Sequence, residues 1–430
     1  MTVQAARGTR DLLPAQMHAR LHVIAKIRDV FAEYGFEPLE TPAIERLETL
    51  VGKYGDEGEK LTFRILERGE GGREGKADLA LRYDLTVPLA RVMAMNQGLP
   101  LPFKRYQVQP VWRAERPQKG RFREFYQCDA DIVGAPGRLA DAECIAVADT
   151  ALSRLGFEDY EILVNDRRIL RAIARQLADT DRETDVLVAI DKLDKIGWDG
   201  VAADLEARGL NSGWLADFRQ MVEREDSMAA FLPIAGDAGG ELPQVMAAAR
   251  AHGVARMRFD ATLARGLGYY TGTVYEARIQ GGGVGSVGGG GRYDGLIGMF
   301  SGRAVPAVGV SLGLERLLVV MEERGMLPAP VTRTLALVTV FSAELTEQSL
   351  QLAARLREQL RGRVRGGVET WLGDGGGLGK QFKYAANKQI PWAIVIGPEE
   401  AAGGTVTAKN LVTGTQTRVA EADLVQHLSE

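Results

Sequence analysis

Between Gln109 and Asp131 the chain reads QPVWRAERPQKGRFREFYQCDAD, which gathers Arg113, Arg116, Lys119, Arg121 and Arg123 among the rings of Phe122, Phe125 and Tyr126. Side chains alternate across a strand, so Arg121, Arg123, Phe125, Gln127, Asp129 and Asp131 share one side of RFREFYQCDAD. Phe122, Tyr126, Cys128, Ala130 and Ile132 take the other, apolar side, with Glu124 as its exception. The polar side offers guanidinium groups for phosphates, a ring on which a base can stack, and carboxylates for a cationic or hydrogen-bond-donating group. A solvated face laced with salt bridges also produces charge runs. Arginine forks followed in the same phase by an aromatic, an amide and acids favour a binding face. QVQPVWR is a second extended segment, and ERPQKG is a polar loop that can join the two as a hairpin.

Other chemistry-bearing patterns fail their own requirements. GDGGGLGKQF lacks Gly where Asp374 sits and Ser or Thr where Gln381 sits, so it is no phosphate loop. Gly283, Gly285 and Gly288 match GxGxxG but have no surrounding strand–helix–strand unit, which leaves a turn or a close backbone approach. His18 and His22 have helical metal-pair spacing, yet Ala19 stands where HExxH needs Glu, and no structural metal is expected. Cys128 and Cys144 are too far apart for a CxxC pair, which fits a reduced, cytoplasmic protein.

The elements that must hold these residues follow from composition and periodicity. The 430 residues carry a net charge of −4, so a general nucleic-acid coat is excluded and any such contact must be local. No apolar run is long enough to span a membrane, and the start MTVQAARGTRDLLP lacks a secretory core, so a soluble protein with no membrane partner is expected. Leu21, Ile24, Ile27, Phe31 and Tyr34 recur at helical spacing after Pro14. FEPLETPAIE, LALRYDLTVPLAR, FKRYQVQPVWRA and RFREFYQCDADIVG read as extended segments of an antiparallel sheet. A charged helical insertion spans about 166–255, and strand-like segments resume at RMRFDATLARGLGYYTGTVYEARI. LPAPVTR marks a linker at 326–332, beyond which strands and helices alternate over 333–430 as a compact α/β domain. The fold class expected is α+β: an antiparallel-sheet core over 1–325 with a helical insertion, plus the α/β domain.

VWRAE followed by GRFREF resembles motif 2 of the class II aminoacyl-tRNA synthetases, VGVSLGLERL resembles motif 3, and the passage ending FEPLETPAIE resembles motif 1. RGLGYYTGTVYEA and GGGRYDGL resemble the two signature peptides of the histidyl-tRNA synthetases; GTRDLLP, LRYDLTVPLAR and YQCDADIVG also fit that family. GKQFKYAANKQIPWAIVIG resembles its anticodon-binding domain. The resemblance implies ATP-dependent ligation of L-histidine to tRNA(His) through a histidyl-adenylate, with release of diphosphate and AMP. ATP with Mg2+ is the implied co-substrate, a homodimer the implied assembly, and no structural metal is called for.

The same resemblance implies roles residue by residue. Arg113 grips the α-phosphate and the reacting carboxylate, Glu115 lies near the adenine, Arg121 reaches the outer phosphates, and Phe125 stacks on the base. Arg316 holds the γ-phosphate from the first turn of the motif 3 helix, where free N–H groups also favour an anion. Arg265 takes a place near the α-phosphate where related enzymes use a metal ion, and with Arg113 it is the catalytic pair. Asp84, Leu85, Thr86 and Gln127 match positions around the histidine ammonium and backbone atoms. Asp131 and Tyr270 face the imidazole, and Tyr269 lines the pocket. Gly288 to Gly291 and Gly309 read as places where backbone lies close to the ligand, though loops alone account for them. Two departures stand out: Gly268 replaces an Asp that many members carry, and Asp84 and Asp131 are one methylene shorter than the Glu of many bacterial members. The loop Arg116 to Gly120 is a candidate for the tRNA acceptor end. Arg361, Arg363, Arg365, Lys380 and Lys383 could serve tRNA or form a solvated face. The alternative is a non-catalytic histidine-binding regulator of ATP phosphoribosyltransferase. Such paralogues lack the anticodon-binding domain and erode the ATP-contacting arginines, whereas Arg113, Arg121, Arg265 and Arg316 all stand here.

Overall fold

The structure, a computed structural model, describes residues 3–51, 56–236, 241–264, 268–328, 332–363, 366–373 and 377–429. It divides into two compact units, Met1–Leu327 and Pro328–Glu430.

The strands of the first unit are, in chain order, β1 (Glu37–Pro38), β2 (Ile44–Arg46), β3 (Phe63–Leu66), β4 (Ala77–Leu81), β5 (Phe103–Trp112), β6 (Glu124–Val133), β7 (Tyr160–Asp166), β8 (Met257–Phe259), β9 (Thr273–Ile279), β10 (Ser286–Arg292) and β11 (Ala307–Gly313). Eight of them form one sheet in the order β1-β5-β6-β11-β10-β9-β7-β8, and β2-β4-β3 form a small second sheet. The large sheet is antiparallel except where β1 joins β5 and β7 joins β8. Helices cover one of its faces. Val23, Ile27 and Phe31 of the helix Pro14–Glu33, and Ile145, Ala148 and Leu152 of the helix Arg138–Arg154, pack with Cys128, Ala130 and Ile132 of β6 in one buried cluster. Each large apolar side chain so buried contributes about 1.5–3 kcal/mol. The opposite face of β6 is therefore free to carry Gln127, Asp129 and Asp131.

The chain turns helical between β7 and β8, from the helix Arg167–Ala172 to the helix Glu241–Ala251. Asp166 starts this region by accepting a hydrogen bond from the Arg168 N–H at 2.8 Å. One sequence expectation is corrected: of LALRYDLTVPLAR only the first three residues, the end of the strand Ala77–Leu81, are extended, and Thr86–Met95 is a helix. Pro88 falls in the first helical turn, where its missing N–H costs nothing, and Asp84 Oδ1 accepts from the Val87 N–H at 3.1 Å.

The second unit holds β12 (Thr334–Val338), β13 (Gly367–Thr370), β14 (Trp392–Val395), β15 (Thr405–Asn410) and β16 (Gln416–Ala420) in the order β13-β12-β14-β15-β16. The β12 pairings are parallel and the last two pairings antiparallel, making a mixed sheet with its own core of Ala336, Val338, Leu352, Leu356 and Ile394. The fold is thus α+β, with an antiparallel-rich core followed by a small α/β unit.

Candidate active site

The free face of the large sheet forms the floor of a cavity of about 1230 Å³, ample for a nucleotide beside an amino acid. The register explains its floor. β5 and β6 pair Arg105 with Asp131, Gln107 with Asp129, and Gln109 with Gln127. On the far side of β6, β11 sets Gly309 against Asp131, Ser311 against Asp129, and Gly313 against Gln127. Phe125, Gln127, Asp129 and Asp131 line the cavity in sequence, and Phe125 to Asp131 spans about 20 Å of strand.

Cations gather towards the Phe125 end. Arg113, just past β5, donates from Nε to the Tyr83 carbonyl at 3.0 Å and lies 5.1 Å from the Phe125 ring centroid. Arg121 lines the cavity, and among the described residues its guanidinium makes no hydrogen bond or ion pair. Arg316, in the first turn of the helix Leu314–Glu323, donates to the Ser286 carbonyl. Its neighbour Glu315 is buried, accepting from Arg20 Nη2 at 2.6 Å and from the Tyr126 N–H at 2.9 Å, which fixes the helix Leu314–Glu323 to β6. Glu115 also lines the cavity.

Acids gather at the other end. Asp131 is held from two sides, by Arg105 Nη2 at 2.9 Å and by the Tyr293 hydroxyl at 2.5 Å. Arg105 is fully buried and also donates to the Leu85 carbonyl and Gln107 Oε1, both at 3.2 Å. Burial pushes the Asp84 carboxyl up to about 6, against the pull of the Val87 N–H, Arg113 and Arg105. Burial likewise pushes Asp129 up to about 7, with Arg105 opposing and Asp131 adding, and it raises Asp131. Gln127 Nε2 donates to Ser311 Oγ at 2.9 Å. Tyr269 and Tyr270 line the same end with their rings 4.8 Å apart, and Tyr293 lies 5.8 Å from Tyr269.

Of the residues singled out in the sequence, Asp84, Thr86, Gln127, Asp131, Tyr269 and Tyr270 meet at the acidic end, and Arg113, Glu115, Arg121, Phe125 and Arg316 line the remainder. The Leu85 side chain is fully buried and contributes only its carbonyl, beneath the floor. Arg265 lies outside the described residues. Arg123 leaves the expected face: its N–H donates to the Gly8 carbonyl and its Nε to the Glu115 carbonyl, because β6 begins only at Glu124. The glycines also read differently. A Cβ on Gly309 would lie 1.9 Å from Asp131 Oδ1, and one on Gly290 would lie 2.0 Å from the Gly309 carbonyl oxygen, so the first atoms they accommodate are the protein's own. Gly283 and Gly285 have φ of 63° and 72°, a turn rather than a dinucleotide site. Alternation put Asp129 on this face without a role of its own, and Arg105 and Tyr293 were not singled out from the sequence. The odd-numbered phase of β5, shared by Arg105, Gln107 and Gln109, was the available signal.

Comparison with known proteins finds relatives along the length of the chain. The family model described as histidyl-tRNA synthetase matches residues 8–317, and the anticodon binding domain model matches 334–430. The histidine–tRNA ligase of Cytophaga hutchinsonii is 40% identical over 452 residues, covering 98% of both chains. That of Gloeobacter violaceus is 41% identical, covering 96% of this chain and 95% of its own. A crystal structure of histidyl-tRNA synthetase from Nostoc sp. superposes with a TM-score of 0.81 at 32% identity, covering 100% of this chain and 99% of that one.

Proposed function

The chain belongs to the histidyl-tRNA synthetase family, and on that footing we propose that its cavity joins L-histidine to ATP as histidyl-adenylate, releases diphosphate, and passes the histidyl group to the 3′-terminal ribose of tRNA(His) with release of AMP. The observation that carries this reading is a single cavity in which the β6 face runs from Phe125, beside Arg113, to the buried acids, with Arg121 and Arg316 also lining it.

Adenylation brings a carboxylate against an α-phosphate, two anions that repel until cations hold them in line. Arg113 stands between the two ends and serves both anions. Arg121 and Arg316 take the outer phosphates, and Phe125 with Glu115 takes the adenine. Arg265 completes the charge around the α-phosphate by the family resemblance alone. At the other end Asp84, Thr86 and Gln127 receive the ammonium, while Asp131 and Tyr270 meet the imidazole. An amino acid without a ring N–H leaves the buried Asp131 Oδ2 without a hydrogen-bond donor, which is the basis of rejection. We assign magnesium to the triphosphate it accompanies, because Glu315, the acid beside Arg316, spends both oxygens on Arg20 and Tyr126.

The C-terminal unit, matched by the anticodon binding domain model, is assigned the tRNA anticodon. A homodimer formed through the region of the helix Pro14–Glu33 and β1, working in the cytoplasm, completes the reading. Arg113, Arg121 and Arg316 around one cavity, together with the C-terminal unit, argue against the regulator of ATP phosphoribosyltransferase. Histidine-dependent exchange of labelled pyrophosphate into ATP tests the proposal. Exchange is expected with histidine and with no other amino acid; histidine binding without exchange would favour the regulator.

A further inference from the structure

We propose that Asp129 is a substrate-contacting residue, accepting a hydrogen bond from the ammonium group of the bound histidine alongside Asp84 and Gln127. This rests on the reading of the cavity as a histidine site.

Asp129 lies on the cavity floor between Gln127 and Asp131 and is 2% exposed. Its Oδ1 has no hydrogen-bond partner among the described residues, and the same holds for Asp84 Oδ2, Gln127 Oε1 and Asp131 Oδ2. Asp131 Oδ2 is ion-paired with Arg105 and assigned to the imidazole; the other three acceptors equal in number the N–H bonds of one ammonium group. Buried polar groups left unpaired are costly, so an occupant that satisfies all of them is favoured.

Charge points the same way. Arg105 from β5 is the buried cation nearest these acids, and its bonds go to Asp131, Leu85 and Gln107. Asp129 receives only its field. The groups facing Asp129 are Arg105 from β5, Asp131 from its own strand, Ser311 from β11, Asp84 from the turn before Thr86, and Tyr270. Arg105 is thus the guanidinium that acts on Asp129 and Asp131, with Arg113 adding at Asp84, and an arriving ammonium supplies a further positive charge. Burial raises the Asp129 pKa, and a protonated acid no longer offers a free carboxylate to the ammonium. Histidine binding should consequently strengthen as pH rises through neutrality. An analogue lacking the ammonium, 3-(imidazol-4-yl)propanoate, keeps the ring and the carboxylate without this contribution.

The test is calorimetric titration of the full chain and of Asp129→Asn with both ligands. At pH 8, Asp129→Asn is expected to bind histidine roughly 10- to 100-fold more weakly, since a hydrogen bond to a charged group is at stake. Its affinity for the propanoate should stay within about twofold, which also reports an intact fold. Unchanged histidine affinity, or equal weakening of both ligands, overturns the proposal. Should the asparagine variant not fold, Asp129→Gly gives the same discrimination without a stranded amide. Wild-type protein that neither binds histidine nor exchanges pyrophosphate sinks the function reading itself; wild-type exchange with an indifferent Asp129→Asn sinks only this assignment.

Discussion

Replacing Arg105 by Met keeps much of the side-chain volume while removing the buried cation that pairs with Asp131 at 2.9 Å. Breaking a buried pair by deleting one partner costs about 3–5 kcal/mol, because the other charge is left in a poor environment. The variant has an escape: Asp131, or its neighbours Asp84 and Asp129, can take up a proton. Burial already holds all of these carboxyls above their ordinary values, and Arg105 pulls each of them back down. Without it they rise further. A carboxyl whose folded-state pKa is raised binds protons more tightly in the folded than in the unfolded chain, so stability declines as pH climbs from the unfolded value towards the folded one. Neutralising one carboxylate costs 1.36 kcal/mol per pH unit above its free pKa. At pH 5 that is about 1–2 kcal/mol, whereas at pH 8 protonation costs more than the broken pair itself and the full 3–5 kcal/mol is expected. Equilibrium urea unfolding of wild type and variant at both pH values measures the difference. An equal loss at pH 5 and pH 8 would show that Arg105 acts by packing or hydrogen bonding and not as the counter-charge of the acidic end.

Two glycine substitutions separate crowding from open space. Gly309→Ala puts a methyl 1.9 Å from Asp131 Oδ1 and 2.5 Å from its Cγ, and Arg105 and Tyr293 leave that carboxylate little room to move. We expect a stability loss of about 1–3 kcal/mol and at least a tenfold rise in KM for histidine, with KM for ATP little changed, read by pyrophosphate exchange. An unaltered histidine KM would mean that the position of Asp131 does not matter. Gly268→Asp restores the acid that the family resemblance implies at this position, and a Cβ there meets nothing within 4 Å among the described residues. Its stability should stay within about 0.5 kcal/mol of wild type and its exchange rate within about threefold; a drop beyond tenfold would show that the chain is built around the glycine.

The part of the site that could be read from the sequence is the part that lies on one strand. Period-two alternation orders Phe125, Gln127, Asp129 and Asp131 without knowledge of anything else in the molecule, and the structure keeps them on one face. The rule fails at Arg123, whose carbonyl still accepts from the Arg113 N–H but whose own N–H turns to the Gly8 carbonyl, and β6 starts one residue later. TVPLAR read as extended because Thr and Val suit strands; the competing signals were Pro88, which fits a first helical turn, and Asp84, three residues before Val87, acting as a side-chain acceptor at a helix start.

Arg105 shows what alternation cannot supply. In FKRYQVQPVW an arginine beside a lysine looks like a strand edge in water, and its burial follows only from register, which sets it opposite Asp131. Register between two strands depends on where the hairpin loop closes, information carried by residues 113–123 and not by Arg105 itself. The glycines of β10 and β11 teach the same lesson from the opposite direction. Read singly, Gly309 suggests room for a ligand; read across the ladder, it is the room that Asp131 needs in order to sit between Arg105 and Tyr293. The acidic end is thus a property of three paired strands, and a substitution at any one of Arg105, Asp131 or Gly309 should be felt through the position of the same carboxylate.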